Sequence, residues 1–222
     1  MYKGKLFSVL GDSISTLGGR SEPANAAYYD GLRKFDTGVF SDGDTWWGQL
    51  IAHFGGELLV NNSISGSLVA HHEACMIPTY GCSDERVSAL GRGDATPDVI
   101  LILLGVNDWG WEIRLKPGEG EAESDALFSV AYDRMLKKLK EKYPGAELWC
   151  FTLPINAKTE AYYGGGVEGY NGVIRACAAA HGCRVCELYR PNLKYETIDS
   201  LHPTAAGMHQ MAEAALRSFE NP

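Results

Sequence analysis

Ser13 follows the apolar run Leu6-Phe7-Ser8-Val9-Leu10 and the pair Gly11-Asp12. Such a run marks a buried strand, and in an open parallel sheet ligands bind beyond the carboxyl ends of the strands. A hydroxyl there is placed to attack, but serine is a poor nucleophile until a neighbouring base takes its proton. His202 is the candidate base. It lies in Asp199-Ser200-Leu201-His202-Pro203-Thr204, where the proline fixes a turn. Asp199 can curl back onto the imidazole and set its tautomer. A carbonyl attacked by Ser13 becomes an oxyanion, which calls for donors already in place. Two more segments offer them. Asn61-Asn62-Ser63-Ile64-Ser65-Gly66-Ser67 is small and flexible enough for the Gly66 N–H to approach a ligand. Gly105-Val106-Asn107-Asp108 carries a side-chain amide at Asn107. With the Ser13 N–H, these make three candidate oxyanion donors. Asp12 reads as a brace for the Ser13 loop.

Each segment alone has a plainer reading. Serine caps helices, and asparagine and aspartate form turns. Their combination points to acyl transfer, provided the fold brings them to one edge.

The elements that must do so are legible as an alternation of strand-like and helix-like patterns, the signature of a parallel sheet with helices on both faces. Leu6–Leu10 reads as the first strand, 58–60 as the second and Asp98–Leu104 as the third and most apolar. Ala146–Thr152 reads as the fourth and Arg184–Leu188 as a short fifth. Helical spacing runs over Thr45–Phe54, Ser124–Lys142, Gly169–His181 and Pro203–Phe219, with Gly55-Gly56, Pro144-Gly145 and Gly182 as stops. Three long connections, 16–44, 109–123 and 154–168, leave the strand ends and gather at the carboxyl edge with Ser13. They carry Tyr28, Tyr29, Phe35, Phe40, Trp109, Trp111, Tyr162 and Tyr163. Such aromatic loops cap a core or line a pocket.

At 222 residues, with 45% hydrophobic and 22% charged residues, one globular domain over 1–222 is expected. The net charge of −8 with no offsetting basic patch disfavours nucleic acid and anionic membrane surfaces. The longest apolar run, Val99–Leu104, is far below the roughly 20 residues that span a bilayer. The N-terminus does not read as a signal peptide, so a cytoplasmic location and reduced thiols for the six cysteines are expected. Cys183-x-x-Cys186 lacks a second pair at zinc-ligand spacing, so no metal is expected.

The four segments together resemble the SGNH hydrolase superfamily, the GDSL esterases and lipases. Gly11-Asp12-Ser13-Ile14 resembles the first block, with isoleucine in place of the usual leucine. Asn62-x-x-x-Gly66 resembles the second, with Ser63 where the family often has glycine. Gly105-x-Asn107-Asp108 resembles the third and Asp199-x-x-His202-Pro203 the last. The resemblance implies a flavodoxin-like three-layer α/β/α fold with a five-stranded parallel sheet in the order 2-1-3-4-5. It also implies ester hydrolysis through a covalent acyl-enzyme without cofactor.

The expected substrate is a small-molecule acyl ester or an acetylated carbohydrate. The absence of a long apolar lid helix favours short acyl groups. Trp109 and Trp111 could stack on a sugar face or wall an acyl pocket, and His71 and His72 could contact substrate or simply pack. A lysophospholipase or thioesterase, and a binding module that keeps the fold without the chemistry, are the alternatives. The oligomeric state is not encoded in these features.

Overall fold

The structure, a computed structural model, describes residues 2–21, 26–77, 79–155, 157–162, 164–189 and 194–220. Its strands are β1 (Leu6–Gly11), β2 (Glu57–Ser63), β3 (Val99–Leu103), β4 (Glu147–Phe151) and β5 (Arg184–Cys186). The helices are α1 (Arg33–Thr37), α2 (Trp46–Phe54), α3 (Asp84–Ser88), α4 (Val106–Gly110), α5 (Phe128–Lys142), α6 (Ala157–Tyr162), α7 (Val167–Ala180) and α8 (Ala205–Glu220). All strand pairs are parallel, and the order is β2-β1-β3-β4-β5, the order that the family resemblance implied.

The central strands are buried on both faces, which is why they read as unbroken apolar runs. Every residue of β3, VILIL, is buried. Helices α2 and α8 pack together on one face, and α3, α5 and α7 on the other. On the α2/α8 side, Trp149 of β4 meets Phe7, Phe54 and Phe219 at centroid distances of 5.7, 5.3 and 4.6 Å. On the opposite side, Phe128, Tyr132, Met135, Leu136 and Leu139 of α5 supply the buried stripe.

Several boundaries differ from the pattern reading. β2 does not stop at Val60 but runs on through Asn61-Asn62-Ser63, because these polar side chains find partners inside the fold. Asn61 Nδ2 donates to Ser15 O at 2.9 Å, and Asn62 Oδ1 accepts from Arg86. α5 begins at Phe128 rather than Ser124, and α7 at Val167 rather than Gly169. β5 ends at Cys186, after three residues. α8 starts at Ala205, because Thr204 rather than Pro203 serves its first turn. The Thr204 carbonyl accepts Met208 N–H at 2.8 Å, and its hydroxyl accepts Gly207 N–H at 3.2 Å. The short helices α1, α3, α4 and α6 have no counterpart in the periodicity, being too brief to show one.

Register does the positioning. Gly11 pairs with Ser63 on one side and with Leu103 on the other, so β1, β2 and β3 end level. The chain then leaves all three at the same edge, towards Ser13, Gly66 and Asn107. Gly11 is required there: a Cβ on it would lie 2.5 Å from Ser15 Cβ and 2.9 Å from Ser63 Oγ. Ser63 itself is extended at the end of β2, so its side chain is accommodated opposite the bare Gly11.

Candidate active site

Beyond β1 the chain makes a single 3-10 turn, Ser13–Ser15, capped by Asp12, whose Oδ1 accepts the Ile14 N–H at 3.0 Å. The turn is fastened from outside. Trp47 Nε1–H donates to Ser15 O at 3.0 Å, Trp46 Nε1–H to Ser15 Oγ at 3.3 Å, and Thr16 Oγ1–H to Ser13 O at 2.8 Å. Ser13 is thereby held almost buried, 5% exposed.

The turn before α8 brings His202 onto it. His202 Nε2 lies 3.0 Å from Ser13 Oγ, and His202 Nδ1 lies 2.7 Å from Asp199 Oδ2. Asp199 Oδ1 accepts the backbone N–H groups of His202 at 2.7 Å and Leu201 at 3.1 Å, so the loop wraps its own carboxylate. Burial works against ionisation of Asp199, but these donors outweigh it and hold the carboxyl at about 2. Burial pulls the His202 imidazole below its ordinary value; Asp199 offsets part of that, and the Arg33 charge adds to it. The ring is therefore neutral near pH 7, with Nδ1–H turned to Asp199 and Nε2 free to accept the Ser13 hydroxyl proton.

Gly66 is the third residue of the turn Ile64–Ser67, closed by Ser67 N–H to Ile64 O at 3.1 Å. Its φ of +80° is the conformation that a turn of this kind demands at that position and that glycine adopts freely. Asn107, in the first turn of α4, donates from Nδ2 to Ser67 O at 2.9 Å, and the amide keeps a second N–H. Among the described residues, neither the Ser13 nor the Gly66 backbone N–H has an acceptor. The Gly66 turn is thus tied to Asn107 on one side and, through Ile64 N–H to Gly11 O at 3.1 Å, to β1 on the other.

Three residues of this edge were not singled out by sequence reasoning. Arg86, 2% exposed on α3, reaches across the loop. Its Nε donates to Asn62 Oδ1 at 2.6 Å, Nη1 to Ser67 Oγ at 2.7 Å, and Nη2 to Gly11 O at 3.0 Å and Asn62 O at 2.9 Å. Burial lowers its pKa to about 10, so the guanidinium stays charged at neutral pH. Asp108, fully buried beside Asn107, accepts the N–H groups of Val69 at 2.8 Å and Ala70 at 2.9 Å. Burial pushes its carboxyl up to about 7 in spite of them. Asp12 is likewise raised to about 7 by burial, with its Oδ2 unpartnered among the described residues. The third residue is Tyr28, whose ring lies flat on the His202 imidazole, centroids 3.6 Å apart and planes at 9°. Arg86 left no local signal, sitting in a five-residue helix; Asp108 was visible only as part of the Asn107 block; Tyr28 was visible only as one of many loop aromatics.

Those aromatics divide. Tyr29 is fully buried, with its hydroxyl donating to Pro203 O at 3.0 Å. Trp109 is buried too and donates Nε1–H to Gly165 O at 2.9 Å. Trp111 is 47% exposed, with the edge of His72 against it at 5.2 Å. Phe35 and Phe40 are exposed and pack edge to face. Tyr162 sits in α6, and Tyr163 lies outside the described residues. His71 packs against Tyr80 at 5.0 Å. All six cysteines are free thiols, Cys183 and Cys186 included. No helix among the described residues is long and apolar enough to cross a membrane.

Comparison with known proteins agrees with this architecture. A protein assigned as a GDSL-like lipase from Bacteroides ovatus ATCC 8483 superposes with a TM-score of 0.79 at 26% identity, covering 99% of this chain and 100% of that one. A second, from Bacteroides uniformis ATCC 8492, gives 0.77 at 26% identity over 99% and 97%. A family two carbohydrate esterase from Clostridium thermocellum shares the fold, with a TM-score of 0.60 at 15% identity over 100% of this chain and 64% of that one. No curated protein matches the chain. The family model for GDSL-like lipases and acylhydrolases matches residues 5–218, nearly the whole length, and the chain therefore belongs to that family.

Proposed function

We propose that this protein is a serine ester hydrolase acting on short-chain O-acyl esters, with Ser13 as nucleophile. The observation that carries the reading is the relay from Ser13 Oγ to His202 Nε2 at 3.0 Å and from His202 Nδ1 to Asp199 Oδ2 at 2.7 Å. In the first half-reaction Ser13 Oγ bonds to the ester carbonyl carbon while His202 Nε2 takes the hydroxyl proton. The carbonyl oxygen gains the negative charge and is met by the Ser13 N–H, the Gly66 N–H and the second N–H of Asn107 Nδ2. The carbon–oxygen bond to the alcohol then breaks, and His202 gives that oxygen its proton. In the second half-reaction water loses a proton to His202, attacks the acyl-enzyme, and the acid leaves as Ser13 Oγ is reprotonated. Asp199 holds the tautomer and balances the imidazolium without taking the proton.

The near burial of Ser13, 5% exposed, favours acetyl and other small acyl groups. We assign the alcohol part to the half-exposed Trp111, whose backbone N–H donates to Asn107 O at 2.9 Å. That makes acetylated sugars the first natural class to test. The test combines labelling by a fluorophosphonate probe with turnover of p-nitrophenyl esters of rising chain length and of acetylated sugars. Wild type should label and turn over the acetyl ester fastest, and Ser13→Ala should do neither. Wild type that binds these esters without hydrolysing them, or labelling that survives Ser13→Ala, overturns the assignment.

A further inference from the structure

Resting on the serine-hydrolase reading above, we propose that Tyr28 is a positioning residue that clamps the His202–Asp199 pair onto Ser13. Four contacts converge on it. Its ring covers one face of the imidazole at 3.6 Å. Its hydroxyl donates to Asp199 Oδ2 at 2.9 Å, the same oxygen that meets His202 Nδ1. Its backbone N–H donates to Thr16 Oγ1 at 2.8 Å, and that hydroxyl donates to Ser13 O at 2.8 Å. Its far face is covered by the Arg33 guanidinium, 5.2 Å from the centroid. The next residue extends the grip, since Tyr29 packs edge-on to Tyr28 at 5.1 Å and donates to Pro203 O. One dipeptide therefore joins the nucleophile's turn to both sides of the histidine's turn.

The histidine's turn needs such a hold. Ser200 has a φ of +70°, a left-handed conformation uncommon for a residue with a side chain. The Asp199 side chain is 41% exposed, so water competes for the oxygen that must orient His202. A phenol bonded to that oxygen restricts the rotation of the carboxylate, and a ring stacked on the imidazole restricts its tilt towards solvent. The charged groups around the stack are Asp199 on the histidine's own turn and Arg33 and Asp36 on α1. Because the phenol shares the Asp199 charge, removing its hydroxyl leaves more of that charge for an imidazolium.

The experiment compares wild type with Tyr28→Phe and Tyr28→Leu. It measures kcat and KM on p-nitrophenyl acetate, fluorophosphonate labelling rate, and the pH titration of the His202 ring protons by NMR. Tyr28→Leu should lower kcat and labelling roughly ten- to hundredfold, the scale of an ångström misplacement, with KM nearly unchanged. Tyr28→Phe keeps the stack and should restore most of kcat, while the His202 titration and the acid limb of kcat/KM move to higher pH. A role in packing alone would not move either titration. Tyr28→Leu with wild-type kcat, or with a raised KM and unchanged kcat, overturns the proposal. If Tyr28→Leu does not fold, Tyr28→Phe decides by the direction of the titration shift, and no shift overturns it. If wild type neither hydrolyses nor labels, the hydrolase reading fails by itself, and the NMR titration still reports whether Tyr28 holds His202.

Discussion

Replacing Arg86 with methionine should loosen the whole donor side of the site. The wild-type guanidinium makes four hydrogen bonds, to Asn62 Oδ1, Asn62 O, Ser67 Oγ and Gly11 O. The loss is not uniform. Gly11 O still accepts the Ile64 N–H, and Ser67 Oγ still donates to Leu68 O at 3.3 Å. Asn62 Oδ1 is left stranded in the interior, and an orphaned buried acceptor costs about 1–3 kcal/mol. The other charge-assisted bonds are lost as well, but methionine no longer requires a cation to be buried, and that offsets part of the cost. The net is about 2–4 kcal/mol of stability, which at this chain length lowers Tm by about 4–16 °C. Asn62 and Ser67 bracket Gly66, so kcat should fall, approaching about a hundredfold if the turn shifts by an ångström, with KM less affected. Arg86→Lys keeps the charge but not the fork, and should lie between the two. Thermal unfolding by circular dichroism and turnover of p-nitrophenyl acetate read both effects. A Tm and a kcat both indistinguishable from wild type would refute the idea that this side chain holds the Gly66 turn.

Asn107→Ala should lower kcat by roughly 10²–10³ if its amide meets the oxyanion, and a loss below about tenfold in steady-state assays would remove it from that role. The acid limb of kcat/KM should fall below the ordinary imidazole value of about 6.5, because burial and Arg33 disfavour the protonated ring. Arg33→Gln removes the like charge, so the limb should move to higher pH, and a shift to lower pH would contradict the assigned electrostatics. Asp108→Ala strands the Val69 and Ala70 N–H groups and should cost about 2–6 kcal/mol, read as a lowered midpoint in urea unfolding.

The strands were legible because parallel strands buried on both faces leave unbroken apolar runs, as in β1 and β3, whereas their order came only from the family resemblance. Ser13, Gly66, Asn107, Asp199 and His202 were legible for a related reason. Each follows a strand or precedes a long helix, where a polar side chain, or for Gly66 a glycine, stands out against its surroundings. What the pattern did not reveal were partners outside the four motif segments. Asn61 and Asn62 look like loop residues until Ser15 O and Arg86 are seen to satisfy them within β2. Trp109 and Trp111 look equivalent in sequence, yet α4 turns the first into the core and leaves the second at the surface. Arg86 and Tyr28 lie in stretches of ordinary composition, and only the crossings of the chain give them their neighbours.

The two sides of the site are built from different materials, and the proposed chemistry explains why. Gly66 and Asn107 are held by fully buried polar groups, Arg86 and Asp108, whose bonds are strong because water is excluded. Donors to a developing charge help most when they need no rearrangement, so rigidity is the property wanted there. His202 and Asp199 instead border solvent and are held by a stacked ring and a phenol hydroxyl. A base must take up a proton, release it and admit a water molecule for the second half-reaction, which a sealed interior would obstruct. Both arrangements are referred to the same short turn. Arg86 and Ile64 reach Gly11 O just before it, and Tyr28 reaches Ser13 O through Thr16. Fixing the Ser13 turn to the end of β1 is therefore what allows a rigid donor side to face the carbonyl oxygen of a bound ester while a yielding base side faces Ser13 Oγ.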